Sequence, residues 1–468
     1  MAVPTDDARV RARLREIGEP ITLFGERPAD RRDRLKYVLS QISVARGGDL
    51  PDLESESESD EEETVEEFYT PGSFELLEAR RRIAEFSIPR AQKRVAQQRI
   101  ESRMPLRQLI DIRKTVFGEI KTFANMGSQI GDERPISMVR FSPDSQILAT
   151  GSWSGGVKLW NIPQCTTIRT LRGHGDRVGG LAWHPQATLS QSADAVNLVT
   201  GAGDFNIHLW SLSSDAPLAI LKGHEGRVCR TAFHPSGNYV ASASFDTSWR
   251  LWDVSTQIEL LLQEGHSKEV YSVEFQDDGA LIASGGLDAI GRVWDLRTGR
   301  TAMVLDGHVQ GIYSIAFSPN GYQIATGAGD DTVRIWDMRS LRPLYTIPAH
   351  RSNVSDIRFF RGNNLPVDRV QDVKMKDEGD DIDDADVSAD KSGVSKEHEE
   401  RYRCGLYFAT AGYDGLVKLW SADDWQLLRT LTTDAGKVMS VDLSNDGKYL
   451  VSGTYNRNFQ LYAPEGSA

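Results

Sequence analysis

Two hydrophobic rhythms divide this chain. From about residue 120 onward, short β-prone runs such as YVASASFD (239–246) and QIATGAGD (323–330) recur, each leading into a tight turn. SPNG, HPSG and SNDG read as hairpin turns whose glycine supplies a positive φ. Before residue 120 the rhythm is helical. Val10, Leu14 and Ile17 fall at i, i+4, i+7 and predict a helix over 6–17, stopped by Gly18. Pro20 opens an extended piece through Ile21, Leu23 and Phe24. A second helix is expected from Pro28 to Ile42, with Leu35, Val38, Leu39 and Ile42 as its apolar stripe. Such a pair of helices is too small to be more than marginally stable alone.

The β-region is a repeat. RLWD, RVWD and RIWD place Trp252, Trp294 and Trp336 42 residues apart, and related endings fall at Trp160, Trp210, Trp420 and Tyr462. His174, His224, His266, His308 and His350 precede five of these endings, and Asp204, Asp246, Asp288, Asp330 and Asp414 stand six residues before the tryptophan. A Ser or Thr lies ten residues before every ending, from Thr150 to Ser452. In the first and last repeats the letters change: Asp132 pairs with Ser154, and Asp434 with Asn456. This pattern resembles the WD-repeat family, which implies an all-β, seven-bladed propeller of four-stranded blades preceded here by a small α-helical arm and basic linker helices. The resemblance also implies that His, Ser/Thr, Asp and Trp form one buried network per blade. Residues Lys121–Gly131 align with segments that precede the histidines elsewhere, so they are expected to supply the outer strand of the last blade.

Recurrence argues against catalysis. A Ser-His-Asp triad would occur once, whereas these residues recur in register. The remaining histidines have no HxxxH or HExxH spacing, no CxxC pair exists, and no glycine run carries a phosphate loop's ending, so neither metal nor cofactor is expected. A binding platform is the better reading. In WD-repeat proteins the residue before the turn Asp lies near one mouth of the ring. Here that position holds Trp153, Phe245, Tyr413 and Tyr455 among others, and Arg177, Arg227 and Lys437 stand three residues after the histidine position. Aromatics beside cations suit a partner hot spot or a base stack.

Charge is concentrated. The net charge is -13, but ten acids lie between Asp52 and Glu67 and thirteen between Asp368 and Glu400, leaving the rest near neutral. Both stretches read as disordered. The segment 79–103 is basic, with Arg80, Arg81, Arg82, Arg90, Lys93 and Arg94. Pro89 is expected to split it into two helical pieces, and its charge suits RNA phosphate. The expected organisation is therefore a helical arm (1–45), an acidic linker (46–72), basic helices (73–118), a propeller (119–463, with an acidic insert at about 363–402) and a short tail (464–468).

LREIGEPITLFGERPADRRDRL, followed by SQIGDERPISMVRFSP and GLDAIGRVWDLRTGR, also resembles the pre-mRNA processing factor four family, the WD-repeat subunit of the U4/U6 small nuclear ribonucleoprotein. The resemblance implies a non-catalytic scaffold of that particle and of the tri-particle with U5, located in the nucleus and contacting U4/U6 RNA. The implied partners are the pre-mRNA processing factor three protein, other particle proteins and a cyclophilin-type prolyl isomerase at the N-terminal part. Ile21, Leu23 and Phe24 become the arm's expected contacts. The competing reading is a general WD-repeat adaptor, such as a ubiquitin-ligase substrate receptor or chromatin subunit, but no recruiting module is legible. No signal-like segment or apolar span appears, so a soluble intracellular protein is expected.

Overall fold

The structure is a computed structural model that describes residues 7–21, 28–45, 72–102, 105–362, 402–433 and 436–465. It forms two units, 1–66 and 67–468. In the first unit, helices α1 (Asp7–Ile17) and α2 (Pro28–Ala45) bury Val10, Leu14 and Leu35 against one another, with Ile17 and Leu39 alongside. Gly18 adopts φ +80° and ends α1, its N–H bonding the Arg15 carbonyl. Arg34 reaches back to the Pro20 carbonyl at 2.9 Å. Arg31, near the start of α2, is buried as well. Leu23 and Phe24 lie outside the described residues, as do both acidic stretches.

The second unit is a ring of seven four-stranded antiparallel sheets, blades one to seven. Blades one to six begin at Ile136, Val178, Val228, Val270, Ile312 and Val354, and each runs outward in chain order. The innermost strands of neighbouring blades pack side by side all the way round. Blade seven takes three strands from Val438–Leu443, Leu450–Thr454 and Asn458–Pro464, and its outer strand from Phe123–Ile130, as the aligned segment 121–131 led us to expect. Opposite ends of the propeller sequence thus share one sheet.

One polar network recurs in five blades. In blade four, His266 donates from Nδ1 to Asp288 (3.1 Å), and its Nε2 accepts from the Ser284 hydroxyl at 2.8 Å. That hydroxyl accepts in turn from Trp294 Nε1 at 2.9 Å. The same links join His174, Thr200, Trp210 and Asp204, and the sets around His224, His308 and His350. Burial raises the carboxyls, but hydrogen bonds outweigh it, the histidine's first in four blades and the Thr332 hydroxyl's ahead of His308 at Asp330, and hold all five below their ordinary range, Asp204 at about 2. Each aspartate also accepts the N–H two residues on, which holds the intervening turn residue left-handed. Phe205, Thr247, Ala289 and Asp331 therefore take φ of 66–68° without being glycine. In blade one, Asp132 replaces the histidine and pairs with Ser154 and with Lys158. In blade seven, Ser452 meets the Tyr462 hydroxyl at 3.3 Å, while Asp434 lies outside the described residues.

A second set of polar side chains latches blade to blade. His234, just past the first strand of blade three, bonds the Gly279 carbonyl of blade four at 2.9 Å. Gln276 does the same to Gly321 of blade five at 2.6 Å. Burial holds His234 neutral, its pKa pulled down to about 4.

Ser284→Ala removes the hub shared by His266 and Trp294. It should cost about 1–3 kcal/mol by chemical denaturation, because buried polar atoms lose their partner, whereas Ser284→Thr, the choice in other blades, should be near neutral. Because the folded His234 resists protonation, the stability tied to it is complete above its unfolded pKa of about 6.5 and declines as pH falls toward 4. His234→Gln, copying Gln276, should leave the melting temperature at pH 7.5 nearly unchanged and make its decline between pH 6.5 and 4 shallower. Parallel declines would show that His234 is not the acid-sensitive latch.

Candidate binding surfaces

One side of the ring is covered by helix. Helix α3 (Phe74–Glu101) is continuous through Pro89, contrary to the expected break. Pro89 and Glu85, the residue whose carbonyl it leaves without an N–H donor, are both exposed. The opposite face of α3 inserts Leu76, Ala79 and Ile83 among Tyr239, Leu260, Leu261 and Phe275 of the propeller core. Further along, Phe86 meets the His234 ring at 5.6 Å and Arg90 lies over Phe86 at 4.7 Å. Arg94 pairs with Asp278 at 2.7 Å and donates to the Asn320 carbonyl at 3.2 Å. Gln98 reaches the same carbonyl at 2.6 Å. The helix therefore crosses the hairpin turns of blades three, four and five. Arg80 packs so closely on Gly299 (φ +78°) that a side chain there would collide with the guanidinium. Helix α4 (Leu106–Lys121) buries Ile112, Val116 and Ile120 beside Phe123, Tyr407 and Tyr462 and pairs Arg113 with Asp423. It anchors the joint between blades six and seven.

This packing engages half of the basic residues expected to face RNA. Arg94 is engaged with the propeller, and Arg80 and Arg90 are half-buried. Of the six basic residues expected there, Arg81, Arg82 and Lys93 remain exposed, Arg82 in an ion pair with Glu78 at 2.5 Å.

At the mouth where the turn aspartates lie, the expected aromatics and cations do converge. Arg177 stacks on Trp153 (5.6 Å), Arg227 on Phe245 (4.2 Å) and Lys437 on Tyr413 (5.4 Å). Trp153 meets Tyr455 edge to face at 5.6 Å. Arg230, Tyr271 and Tyr313 join them and were not expected from the repeat. A bulge explains their presence: in every blade the innermost strand slips register between its first and third residues, which re-aims the second and third. The two positions after the first Val or Ile of each innermost strand were therefore the sequence signal to follow. Of the arm's expected contacts, only Ile21 is described, and it is half-buried.

One cluster resembles a metal site. His174, Asp204 and His208 bring ligand atoms within 4.8 Å of one another. The two imidazoles, however, stack at 3.7 Å and 9° between planes, so their in-plane lone pairs cannot converge on one ion. Both His174 nitrogens are already bonded, to Asp204 and Thr200. These residues do not fit a cation. Burial, then the neighbouring His174, lowers the His208 pKa to about 4 and leaves it a neutral stacking partner.

Comparison with known proteins follows the same division. The WD domain, G-beta repeat, matches residues 125–161, 165–211, 215–253, 258–295, 299–337 and 425–462, together just over half of the chain. The model of pre-mRNA processing factor 4 (PRP4) like proteins matches residues 10–38, across α1 and α2. The human U4/U6 small nuclear ribonucleoprotein Prp4 is 42% identical over 188 residues, 40% of this chain and 36% of that protein. An Arabidopsis thaliana U4/U6 small nuclear ribonucleoprotein PRP4-like protein is 41% identical over 194 residues, 40% of this chain and 35% of that protein. The Saccharomyces cerevisiae U4/U6 small nuclear ribonucleoprotein PRP4 is 34% identical over 195 residues, 40% of each. The aligned chain spans well under half the length of these relatives. With six repeat matches on a seven-bladed ring and the PRP4-like segment ahead of them, this chain belongs to the WD-repeat family and carries the signature of its pre-mRNA processing factor 4 like members.

Proposed function

We propose that this chain is a non-catalytic scaffold subunit of the U4/U6 small nuclear ribonucleoprotein particle, and of its assembly with U5, acting in the nucleus in pre-mRNA splicing. The observation that carries this reading is the PRP4-like match over residues 10–38, a segment that no WD repeat requires. The names of the relatives point the same way. The propeller supports a scaffold rather than an enzyme, because its recurring histidines and aspartates are engaged in the same hydrogen bonds in five blades. The helix α3 then adds a basic outer surface to one side of the platform, through Arg81, Arg82 and Lys93. Processing factor three and a cyclophilin-type isomerase are the partners implied by the resemblance.

Affinity purification of the intact chain should recover U4 and U6 RNA on sequencing, with processing factor three among the proteins. Recovery of neither RNA would overturn the reading. Arg81→Gln with Lys93→Gln should weaken particle association and lessen its salt dependence, since phosphate contacts release counterions. Arg94→Gln should instead lower the melting temperature, because it breaks the pair with Asp278.

A further inference from the structure

Helix α4 packs only one of its faces on the ring, the one that buries Ile112, Val116 and Ile120 beside Phe360, Tyr407 and Tyr462. The neighbouring face is left open. Leu106 and Ile110 are exposed, and Ile110, Arg113, Lys114, Phe117, Gly118 and Lys121 line a groove along the helix. Apolar and basic side chains therefore follow one another down a single stripe at i, i+3 and i+4 spacing. Arg113 is held by Asp423, but among the described residues no carboxylate lies within ion-pair distance of Lys114 or Lys121. The helix's own acids, Asp111 and Glu119, share a different flank with Thr115.

The blade-six insert leaves and re-enters the fold at the same joint. Phe360 stacks on Tyr407 at 4.8 Å within the cluster beneath α4, two residues before Gly362. The chain is described again from Tyr402, which packs against that cluster as Phe117 does. Gly362 lies against Cys404, so the two ends of the insert are neighbours. Thirteen acids and five bases stand between Asp368 and Glu400. The central stretch Asp377–Asp390, DEGDDIDDADVSAD, holds eight acids and no base, with Ile382 and Val387 set among them.

We infer that the α4 groove is the docking site of this chain's own acidic insert, with Lys114 and Lys121 meeting carboxylates of Asp377–Asp390 and Ile110 and Phe117 meeting Ile382 and Val387. Charge and apolar character alternate on both partners, so each supplies what the other lacks. Reach favours the insert over any free partner. A coil of about twenty residues spans roughly 25 Å, and the sixteen residues of α4 extend about 24 Å. Anchored at both ends beside the helix, the acidic stretch faces the groove at roughly millimolar effective concentration. Any other polyanion must displace the insert to reach α4. The inference rests on α4 and the insert alone and is independent of the particle assignment.

The test compares the full chain with a variant whose residues 370–396 are replaced by Gly/Ser at equal length. A labelled peptide of residues 377–390 is read by fluorescence anisotropy. It should bind the variant with a Kd of about 0.1 mM or tighter, and more weakly as salt rises. The intact chain should bind it about tenfold more weakly, because the tethered copy competes at roughly millimolar concentration. Exchanging the eight acids of the insert for Asn and Gln should free the groove as the Gly/Ser replacement does. Lys114→Gln with Lys121→Gln, added to the Gly/Ser variant, should abolish peptide binding with little change in melting temperature, since both lysines are exposed. Arg81→Gln on α3 should leave it unchanged. In the intact chain the same lysine pair of substitutions should speed hydrogen exchange across 377–390. Absence of peptide binding to the Gly/Ser variant at millimolar concentration would overturn the proposal, as would equal affinity for the intact chain. Sedimentation of the intact chain as a dimer that the Gly/Ser replacement dissociates would place the insert on a second copy instead. Oligouridylate that binds both chains alike through Lys114 and Lys121 would make the groove an RNA site and equally overturn it.

Discussion

Closure of the ring depends on one antiparallel pairing. Phe123–Ile130 hydrogen-bonds to Asn458–Pro464, more than three hundred residues away, and without it blade seven would expose an open edge and the ring would have no last joint. The fold reinforces that joint with a helix. Helix α4 runs directly into the closing strand and buries Ile112, Val116 and Ile120 against blades six and seven, and Phe123 is itself buried in the same cluster. Closing a loop of this length costs conformational entropy, and this apolar cluster and the sheet's backbone bonds offset it.

Closure gives the two mouths different fates. On one side, hairpin turns with glycine at Gly279 and Gly321 let α3 and its arginines approach the backbone closely. On the other, the turn aspartates hold a ring of left-handed residues, and the bulged innermost strands swing arginines and tyrosines inward. The hydrogen bonds that stiffen each blade thereby fix the positions of Trp153, Phe245 and Tyr413, each one residue before the turn position. Network residues and mouth aromatics are adjacent in sequence because one turn positions both.

The helical elements show where pattern reading met its boundary. The basic composition of residues 79–103 suggested a solvated, RNA-facing segment, yet the same helix hides Leu76, Ala79 and Ile83 and directs Arg94 into an ion pair. Local charge counts cannot reveal which side of an amphipathic helix meets a partner that is distant in sequence. Pro89 misled for a related reason. Proline interrupts a helix where its missing N–H leaves a carbonyl dry, and here that side faces solvent.

By itself the sequence determined the number of blades, the membership of the histidine network in five of them and the sharing of blade seven, because the endings and their His, Ser/Thr and Asp recur at fixed offsets whatever is inserted between them. It also marked four aromatics and three cations near one mouth, since these hold fixed offsets from the repeat. Only the tertiary structure decided that Arg230, Tyr271 and Tyr313 join them. A bulge depends on the pairing of two strands, and the meeting of these side chains depends on seven strands converging on one axis. Neither relation is visible along a single strand.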